Sequence, residues 1–146
     1  MSGKLLNTIV LIDDSEIDIF TNQLMIECSG FAERVELFSY AGDALNYLNQ
    51  ANVGDIDFIF LDLSMPKMNG FEFLVQFEKF RQSKHSKSVL VMLTSSTVAK
   101  DRDTLNNFSG TNVFRNKPLN MKMLEQLTKE HFGNRINSTN PNLFKT

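Results

Sequence analysis

The sequence contains a single cysteine, carries almost no excess charge and lacks any long apolar run. Cys28 cannot form an internal disulfide, so a reducing compartment is expected. A net charge of −2 does not indicate direct binding to nucleic acid. The apolar stretch 5–12 is too short to cross a membrane and runs into Asp13 and Asp14, which favours a strand over a signal peptide. We therefore expect a cytoplasmic protein that contacts neither nucleic acid nor membrane.

The length of 146 residues corresponds to one compact domain and leaves no room for a second catalytic domain. The composition, with 42% hydrophobic and 22% charged residues, is that of an ordinary globular protein. After Phe132 the sequence becomes polar and rich in Asn, with too few apolar residues to predict a further element. We predict one domain over residues 1–132 and a polar tail over residues 133–146.

Short apolar runs alternate with longer amphipathic stretches, a pattern typical of parallel strands connected by helices. Continuous apolar runs at 8–12, 58–61 and 89–93 predict central strands that are covered on both faces. Shorter or more polar runs at 35–38 and 113–114 predict strands nearer the edges. The sequence therefore predicts an α/β fold: a doubly wound (βα)5 arrangement with a five-stranded parallel sheet, commonly in the flavodoxin-like order 2-1-3-4-5.

The chemically interesting side chains lie at the ends of these predicted strands. Asp13 and Asp14 end the first strand, Asp62 ends the third, Thr94 ends the fourth and Lys117 follows the fifth. In a sheet of this order, ligands bind outside the carboxyl ends of the strands, where the strand order reverses. We expect all five residues at one edge of the sheet.

The three carboxylates would repel one another, and a bound cation would relieve that conflict. Oxygen ligands without a nearby His or Cys favour a hard ion, and two carboxylates with a backbone carbonyl and waters suit Mg²⁺. We assign Asp13 and Asp62 as direct ligands and Asp14 as a ligand either directly or through water. The backbone carbonyl of Ser64, two residues after Asp62, is the predicted backbone ligand.

Asp62 is also the candidate nucleophile because it is central, and a carboxylate can form an acyl phosphate. Phosphoryl transfer requires mainly alignment and charge neutralisation, which Mg²⁺ and the Lys117 ammonium could provide. The Thr94 hydroxyl could donate a hydrogen bond to a phosphoryl oxygen and so connect the site to conformation. Neither histidine receives a chemical role: His85 is read as a solvated loop residue, and His131 as the favoured cation at the end of the last helix.

The order of these motifs resembles that of response-regulator receiver domains of the CheY-like superfamily. The resemblance covers about residues 7–132 and depends on the motifs in combination, because each one alone is a weak signal. The matching segments are Ile12-Asp13-Asp14, Asp62-Leu63-Ser64-Met65-Pro66-Lys67-Met68-Asn69-Gly70, Thr94-Ser95 and Lys117-Pro118.

The resemblance implies that the acidic pair holds Mg²⁺ and that a sensor histidine kinase or histidine phosphotransfer protein phosphorylates Asp62. It also implies that Thr94 moves toward the phosphoryl group, that Lys117 pairs with it and that Pro118 follows a cis peptide. Phe114 occupies the switch position at which many relatives have tyrosine, so the ring is kept and the hydroxyl is lost.

The output surface implied by the family comprises the predicted fourth helix, fifth strand and fifth helix, roughly residues 97–132. An unknown downstream protein would bind there, and the same face could form a homodimer. The resemblance thus implies a single-domain switch in a two-component system, a phosphoprotein without activity beyond its own phosphoryl transfer and dephosphorylation. A relay that passes the phosphoryl group onward to a histidine phosphotransfer protein remains an alternative.

The residues disfavour two functions of other classes. A phosphatase of the haloacid dehalogenase type also uses an aspartyl nucleophile and Mg²⁺, but it has a second Asp two residues after the nucleophile. Ser15 and Ser64 occupy that position after Asp13 and Asp62, which disfavours this enzyme. A flavodoxin-like flavin binder shares the sheet order, but the acidic cluster would repel a flavin phosphate.

Overall fold

The structure, a computed structural model, describes residues 5–50, 55–63, 65, 70–84, 86–94 and 113–139. Five parallel strands form one sheet in the order β2-β1-β3-β4-β5, so the predicted order is confirmed. The strands are β1 (Leu6–Ile12), β2 (Ala32–Phe38), β3 (Ile56–Asp62), β4 (Val89–Thr94) and β5 (Val113–Asn116). The helices within the described ranges are α1 (Glu16–Ser29), α2 (Ala41–Leu48), α3 (Gly70–Ser83) and α4 (Met121–Thr139).

The segment 95–112, in which the fourth helix was predicted, lies outside the described residues. Helix α4 therefore corresponds to the predicted fifth helix. Within the described ranges, no helix combines the length and the apolar character needed to cross a membrane.

The inner strands β1, β3 and β4 are buried on both faces almost throughout, as the continuous apolar runs predicted, whereas β2 has exposed residues. Every residue of β3 is buried, and its alternate side chains enter two separate clusters. Phe58 and Phe60 pack on one face with apolar residues of α1 and α4. Ile59 and Leu61 pack on the other face with residues of α2 and α3. Because the inner strands are fixed from both sides, their carboxyl ends form a rigid edge.

The helix that follows β1 begins directly beside that edge. The Ser15 side chain caps α1 by accepting a hydrogen bond of 3.3 Å from the backbone N–H of Asp18. Helix α1 ends at Gly30, whose φ of 71° is left-handed and therefore suits a residue without a side chain. The Ser15 cap fixes the first turn of α1 next to the ends of β1 and β3.

Helix α4 differs from the sequence prediction at its C-terminal end. The backbone leaves helical geometry at Phe132 (φ −134°, ψ 27°), but the helix continues to Thr139. The prediction that no regular element follows Phe132 is therefore wrong for residues 133–139. Arg135 explains this extension, because its Nη1 lies 3.0 Å from Oδ2 of buried Asp57 and 3.2 Å from the carbonyl oxygen of Leu5. A polar segment is thus anchored by an ion pair rather than by its own apolar content.

The continuation of α4 also changes the environment of His131. It lies within the helix rather than at its end, and its ring meets Phe58 edge-on with centroids 6.3 Å apart. Burial lowers the pKa of His131, and nearby Arg115 acts in the same direction while Glu130 opposes both. The prediction of a cationic histidine at a helix terminus is therefore wrong.

Candidate functional site

Asp13 lies where β1 leaves the sheet, and it is held by backbone contacts on both sides. Its N–H donates to the carbonyl oxygen of Phe38 at 3.0 Å, and its Oδ1 accepts from the N–H of Ser15 at 2.9 Å. Asp13 is buried, whereas the following Asp14 is exposed. The turn after β1 thus places one acid inside the edge of the sheet and one at its surface.

Asp62 ends the central strand β3 and is also buried. It pairs in register with Leu93 of β4, and the N–H of Leu63 donates to the Leu93 carbonyl oxygen at 2.9 Å. One carboxylate oxygen from each of Asp13, Asp14 and Asp62 lies within 4.8 Å of the others. The predicted convergence of the three acids is therefore present in the fold.

Lys117 supplies a positive charge to this cluster. Its Nζ lies 2.9 Å from Oδ1 of Asp62, 3.8 Å from Oδ2 of Asp13 and 3.7 Å from Oδ2 of Asp18. Its backbone N–H donates to the carbonyl oxygen of Thr94 at 2.9 Å, and the bond from Lys117 to Pro118 is cis. Lys117 is therefore tied to β4 through its backbone and to β1 and β3 through its side chain.

Asp18 is a member of the site that the sequence interpretation missed. The signal was present, because the cap between Ser15 and Asp18 places residue 18 in the first turn of α1. The sequence interpretation assigned that pair only to the start of a helix. The ion pair with Lys117 depends on the return of the chain after β5, which local sequence does not reveal.

Among the described residues, the site combines four carboxylates, those of Asp13, Asp14, Asp18 and Asp62, with one ammonium group, that of Lys117. Burial raises the pKa of Asp13 to about 6, the charge of Asp62 adds to this effect, and the Ser15 N–H and Lys117 offset only part of it. Burial alone would lower the pKa of Lys117, but its hydrogen bond to Asp62 and the surrounding carboxylates outweigh burial and raise it. Lys117 therefore stays protonated at neutral pH. Ionisation of Asp13 is less favourable in the folded protein than in the unfolded chain.

The donor set fits a hard divalent cation. Asp13, Asp14 and Asp62 offer carboxylate oxygens, and the pKa of Asp13 is raised by burial and, to a lesser extent, by the charge of Asp62. Mg²⁺ prefers such oxygen ligands and keeps several of its waters, as the exposure of Asp14 would allow. Ser64, the predicted backbone ligand, lies outside the described residues.

The two predicted switch residues lie on neighbouring strands. Thr94 ends β4, is partly buried and pairs in register with Asn116 of β5. Phe114, also partly buried, lies opposite Met92 and packs against the cluster formed with α2 and α3. The carboxyl ends of β1, β3, β4 and β5 therefore gather the predicted site on one edge. Residues 97–112 of the predicted output surface lie outside the described residues.

The outer face of α1 carries an apolar stripe that the sequence interpretation also missed. Ile17, Phe20 and Leu24 are 78%, 62% and 50% exposed. Their spacing of three and four residues aligns them along one face of the helix. The charged residues of α1 are all acidic. They are Glu16, Asp18 and Glu27, and the helix contains neither Lys nor Arg. The stripe begins beside Asp18, so an apolar surface with acidic flanks adjoins the acidic site.

A cleft of about 280 Å³ continues this surface toward the site. It lies between α1 and the segment after β5, and its lining includes Asp13, Asp18, Thr21, Lys117 and Leu119. The cleft thus reaches Asp13 of the acidic cluster along the side of α1.

Comparison with known proteins identifies a family. The family model described as "Response regulator receiver domain" matches residues 9–129. A receiver protein from Dyadobacter fermentans has a TM-score of 0.74 and 28% identity, covering 86% of this chain and 98% of that one. A two-component response regulator from Cytophaga hutchinsonii has a TM-score of 0.73 and 26% identity, covering 87% of this chain and 97% of that one.

Curated relatives include two much longer proteins from Dictyostelium discoideum. The chain is 29% identical over 133 residues to hybrid signal transduction histidine kinase L and 27% identical over 135 residues to hybrid signal transduction histidine kinase B. These matches cover 90% and 86% of this chain but only 8% and 7% of the kinases. The chain thus spans less than a tenth of the length of each relative.

Proposed function

The chain belongs to the response regulator receiver domain family, and we propose that Asp62 accepts a phosphoryl group from a phosphohistidine on a partner protein. The observation that carries this proposal is the 2.9 Å contact between buried Asp62 and Lys117, beside the acids Asp13 and Asp14. The similarity to two hybrid histidine kinases supports a histidine kinase or a histidine phosphotransfer protein as the donor.

In the proposed step, a carboxylate oxygen of Asp62 attacks phosphorus and forms a P–O bond. The P–N bond of the phosphohistidine breaks, and its electron pair returns to the imidazole nitrogen. Lys117 holds a positive charge beside the attacking carboxylate, because its pKa is raised. Mg²⁺ held by Asp13, Asp14 and Asp62 would neutralise charge on the phosphoryl oxygens. Thr94, at the end of the next strand, would donate its hydroxyl to one of those oxygens.

We further propose that a helix of the donor docks on the stripe of Ile17, Phe20 and Leu24. The stripe adjoins the acidic site through Asp18, and docking there would bring a histidine close to Asp62. The acidic residues of α1 favour a donor helix with basic residues around its apolar face. A second copy of this chain would place like charges together, which disfavours self-association through α1.

Phosphorylation would control binding of a downstream protein at the predicted face of residues 97–132, with Thr94 and Phe114 linking it to the site. The second candidate is a relay in which Asp62 passes the phosphoryl group onward, which the similarity to hybrid kinases supports. In both cases the proposed chemistry is limited to transfer of a phosphoryl group to and from Asp62 and to its hydrolysis. We place this function in the cytoplasm.

The test is the intact mass of the protein after incubation with acetyl phosphate and Mg²⁺. We expect one phosphoryl adduct on the wild type, with no adduct on Asp62→Asn or when a chelator is present. An adduct on Asp62→Asn would contradict the assignment. If neither acetyl phosphate nor a histidine-phosphorylated donor yields an adduct, the domain signals by binding alone.

Switch and relay differ in the fate of the phosphoryl group. Rapid loss of the label from Asp62 to a purified histidine phosphotransfer domain would favour the relay. Tighter binding of a protein without a phosphorylatable histidine, seen only after phosphorylation, would favour the switch.

A further inference from the structure

A second cavity lies at the amino edge of the sheet, on the opposite side from the acidic site. Its volume is about 500 Å³, and its walls are the end of α3, the segment 86–89 that enters β4, and α4 around and beyond its irregularity at Phe132. The proposed phosphoryl transfer uses none of these residues, although His131 and Phe132 lie at the end of the predicted output surface. The cavity is within the size range of small-molecule sites.

Two arginines in the lining of this cavity are held in place by acids that lie outside the lining. Arg135 is fixed by buried Asp57 at 3.0 Å. Arg81 lies 3.4 Å from Glu78, and its guanidinium sits 5.6 Å from the centre of the Phe77 ring. Guanidinium groups fixed in this way are preorganised to meet a planar carboxylate or a phosphate.

The remaining lining adds positive charge and neutral donors. Lys87 is an exposed lysine in the lining, and Ser86, Asn134 and His131 supply polar groups. The described lining contains three permanent cations and no carboxylate. The cavity therefore differs from the opposite edge of the sheet, where carboxylates converge.

Apolar contacts complete the cavity. Val89 and Phe132 belong to its lining, and the guanidinium of Arg135 lies 4.4 Å from the centre of the Phe132 ring. An inorganic ion alone would leave most of a 500 Å³ space unfilled. The combination of cations with an apolar wall suits a small organic molecule that carries an oxyanion.

We infer that the cavity between α3, the start of β4 and the end of α4 binds the phosphate or carboxylate group of a small organic anion. Arg81, Lys87 and Arg135 contact the oxyanion, and Val89 and Phe132 contact the organic part. This inference does not depend on phosphorylation of Asp62.

The test is a two-dimensional amide NMR titration of the full chain with inorganic phosphate and, separately, with citrate. Chloride at matched ionic strength is the reference. We expect saturable shifts at Ser86, Val89 and Asn134 with at least one oxyanion. Lys87→Gln should weaken that binding by about tenfold, the loss of one charged contact. Lys122→Gln is the matched control, because exposed Lys122 lies at the opposite end of α4.

Stronger binding of phosphate would identify a phosphorylated ligand, and stronger binding of citrate a carboxylate; either result supports the site. The inference is overturned if chloride causes the same shifts, or if neither oxyanion gives saturable shifts at the cavity. It is also overturned if Lys122→Gln weakens binding as much as Lys87→Gln does, because the attraction would then be a general charge effect.

Discussion

Replacement of Asp13 by Asn should stabilise the metal-free protein at neutral pH, although it removes a predicted metal ligand. The pKa of Asp13 is raised from 3.8 to about 6, chiefly by burial and then by the charge of Asp62. Each pKa unit corresponds to about 1.4 kcal/mol, so the ionised side chain costs the folded state at most about 3 kcal/mol. Solvent at the edge, where Asp14 is exposed, reduces the expected gain to about 1–2 kcal/mol. Asn keeps an oxygen that can accept from Ser15.

The dependence on pH follows from the sign of this shift. A carboxyl group with a raised pKa in the folded state binds protons more tightly there than in the unfolded chain. Its penalty is absent below pH 3.8, grows between pH 3.8 and about 6, and is complete above that range. The difference in unfolding free energy between Asp13→Asn and the wild type should therefore be largest at pH 7 and vanish as the pH approaches 4.

This difference can be measured by unfolding both proteins with urea in the presence of a chelator and monitoring far-ultraviolet circular dichroism. Asp18→Asn is the matched control, since Asp18 also contacts Lys117 but is about half exposed. It should change stability little. Addition of Mg²⁺ should stabilise the wild type more than Asp13→Asn. A variant that is no more stable than the wild type at pH 7, or whose gain does not change with pH, would refute the account of the site as short of positive charge.

Three further changes test other parts of the structure. Arg135→Gln should lower the unfolding free energy by about 1–3 kcal/mol in urea, because it leaves buried Asp57 without its cation; an unchanged midpoint would contradict the anchoring of α4. Phe77→Ala should cost about 3–5 kcal/mol in the same assay, because this ring is fully buried, and a cost below about 1 kcal/mol would contradict the assigned packing. Leu24→Ser should slow phosphoryl transfer from a histidine-phosphorylated protein about tenfold but leave the acetyl phosphate reaction unchanged. Leu37→Ser, at an exposed leucine of β2, is its control, and equal slowing by both would exclude docking on α1.

The sheet and the acidic cluster could be predicted because each depends on a local pattern combined with a topological rule. Continuous apolar runs such as 58–61 have to be covered on both faces, which requires a doubly wound parallel sheet. Once the strands are parallel, residues that directly follow them meet at one edge wherever they occur in the sequence. Asp13, Asp62 and Lys117 could therefore be placed together without knowledge of any side-chain contact.

The exposed stripe and the helix extension could not be predicted in this way. Apolar residues at helical spacing predict a buried face, yet Ile17, Phe20 and Leu24 lie outward while Ile26 enters the core. The residues that face the core, Ile26 with the partly buried Ile19 and Met25, and the exposed residues all lie on the same helix. Composition alone does not decide which face of that helix is buried. The extension of α4 depends on contacts between residues as much as 130 positions apart, those of Leu5 and Arg135. No window of local hydrophobicity contains that information.

The two edges of the sheet differ in how their charge is balanced, and this difference separates their roles. At the amino edge, Asp57 is satisfied by Arg135 and by the N–H of Asn7 at 2.6 Å, so the acid is neutralised within the protein and strengthens the fold. At the carboxyl edge, Lys117 is shared among Asp13, Asp18 and Asp62, and the pKa of Asp13 remains raised. Among the residues that the structure describes, the carboxyl edge is the one that keeps an excess of negative charge, which a cation would relieve. Under the proposed function, binding of Mg²⁺ there would relieve the cost that this imbalance imposes on the folded state.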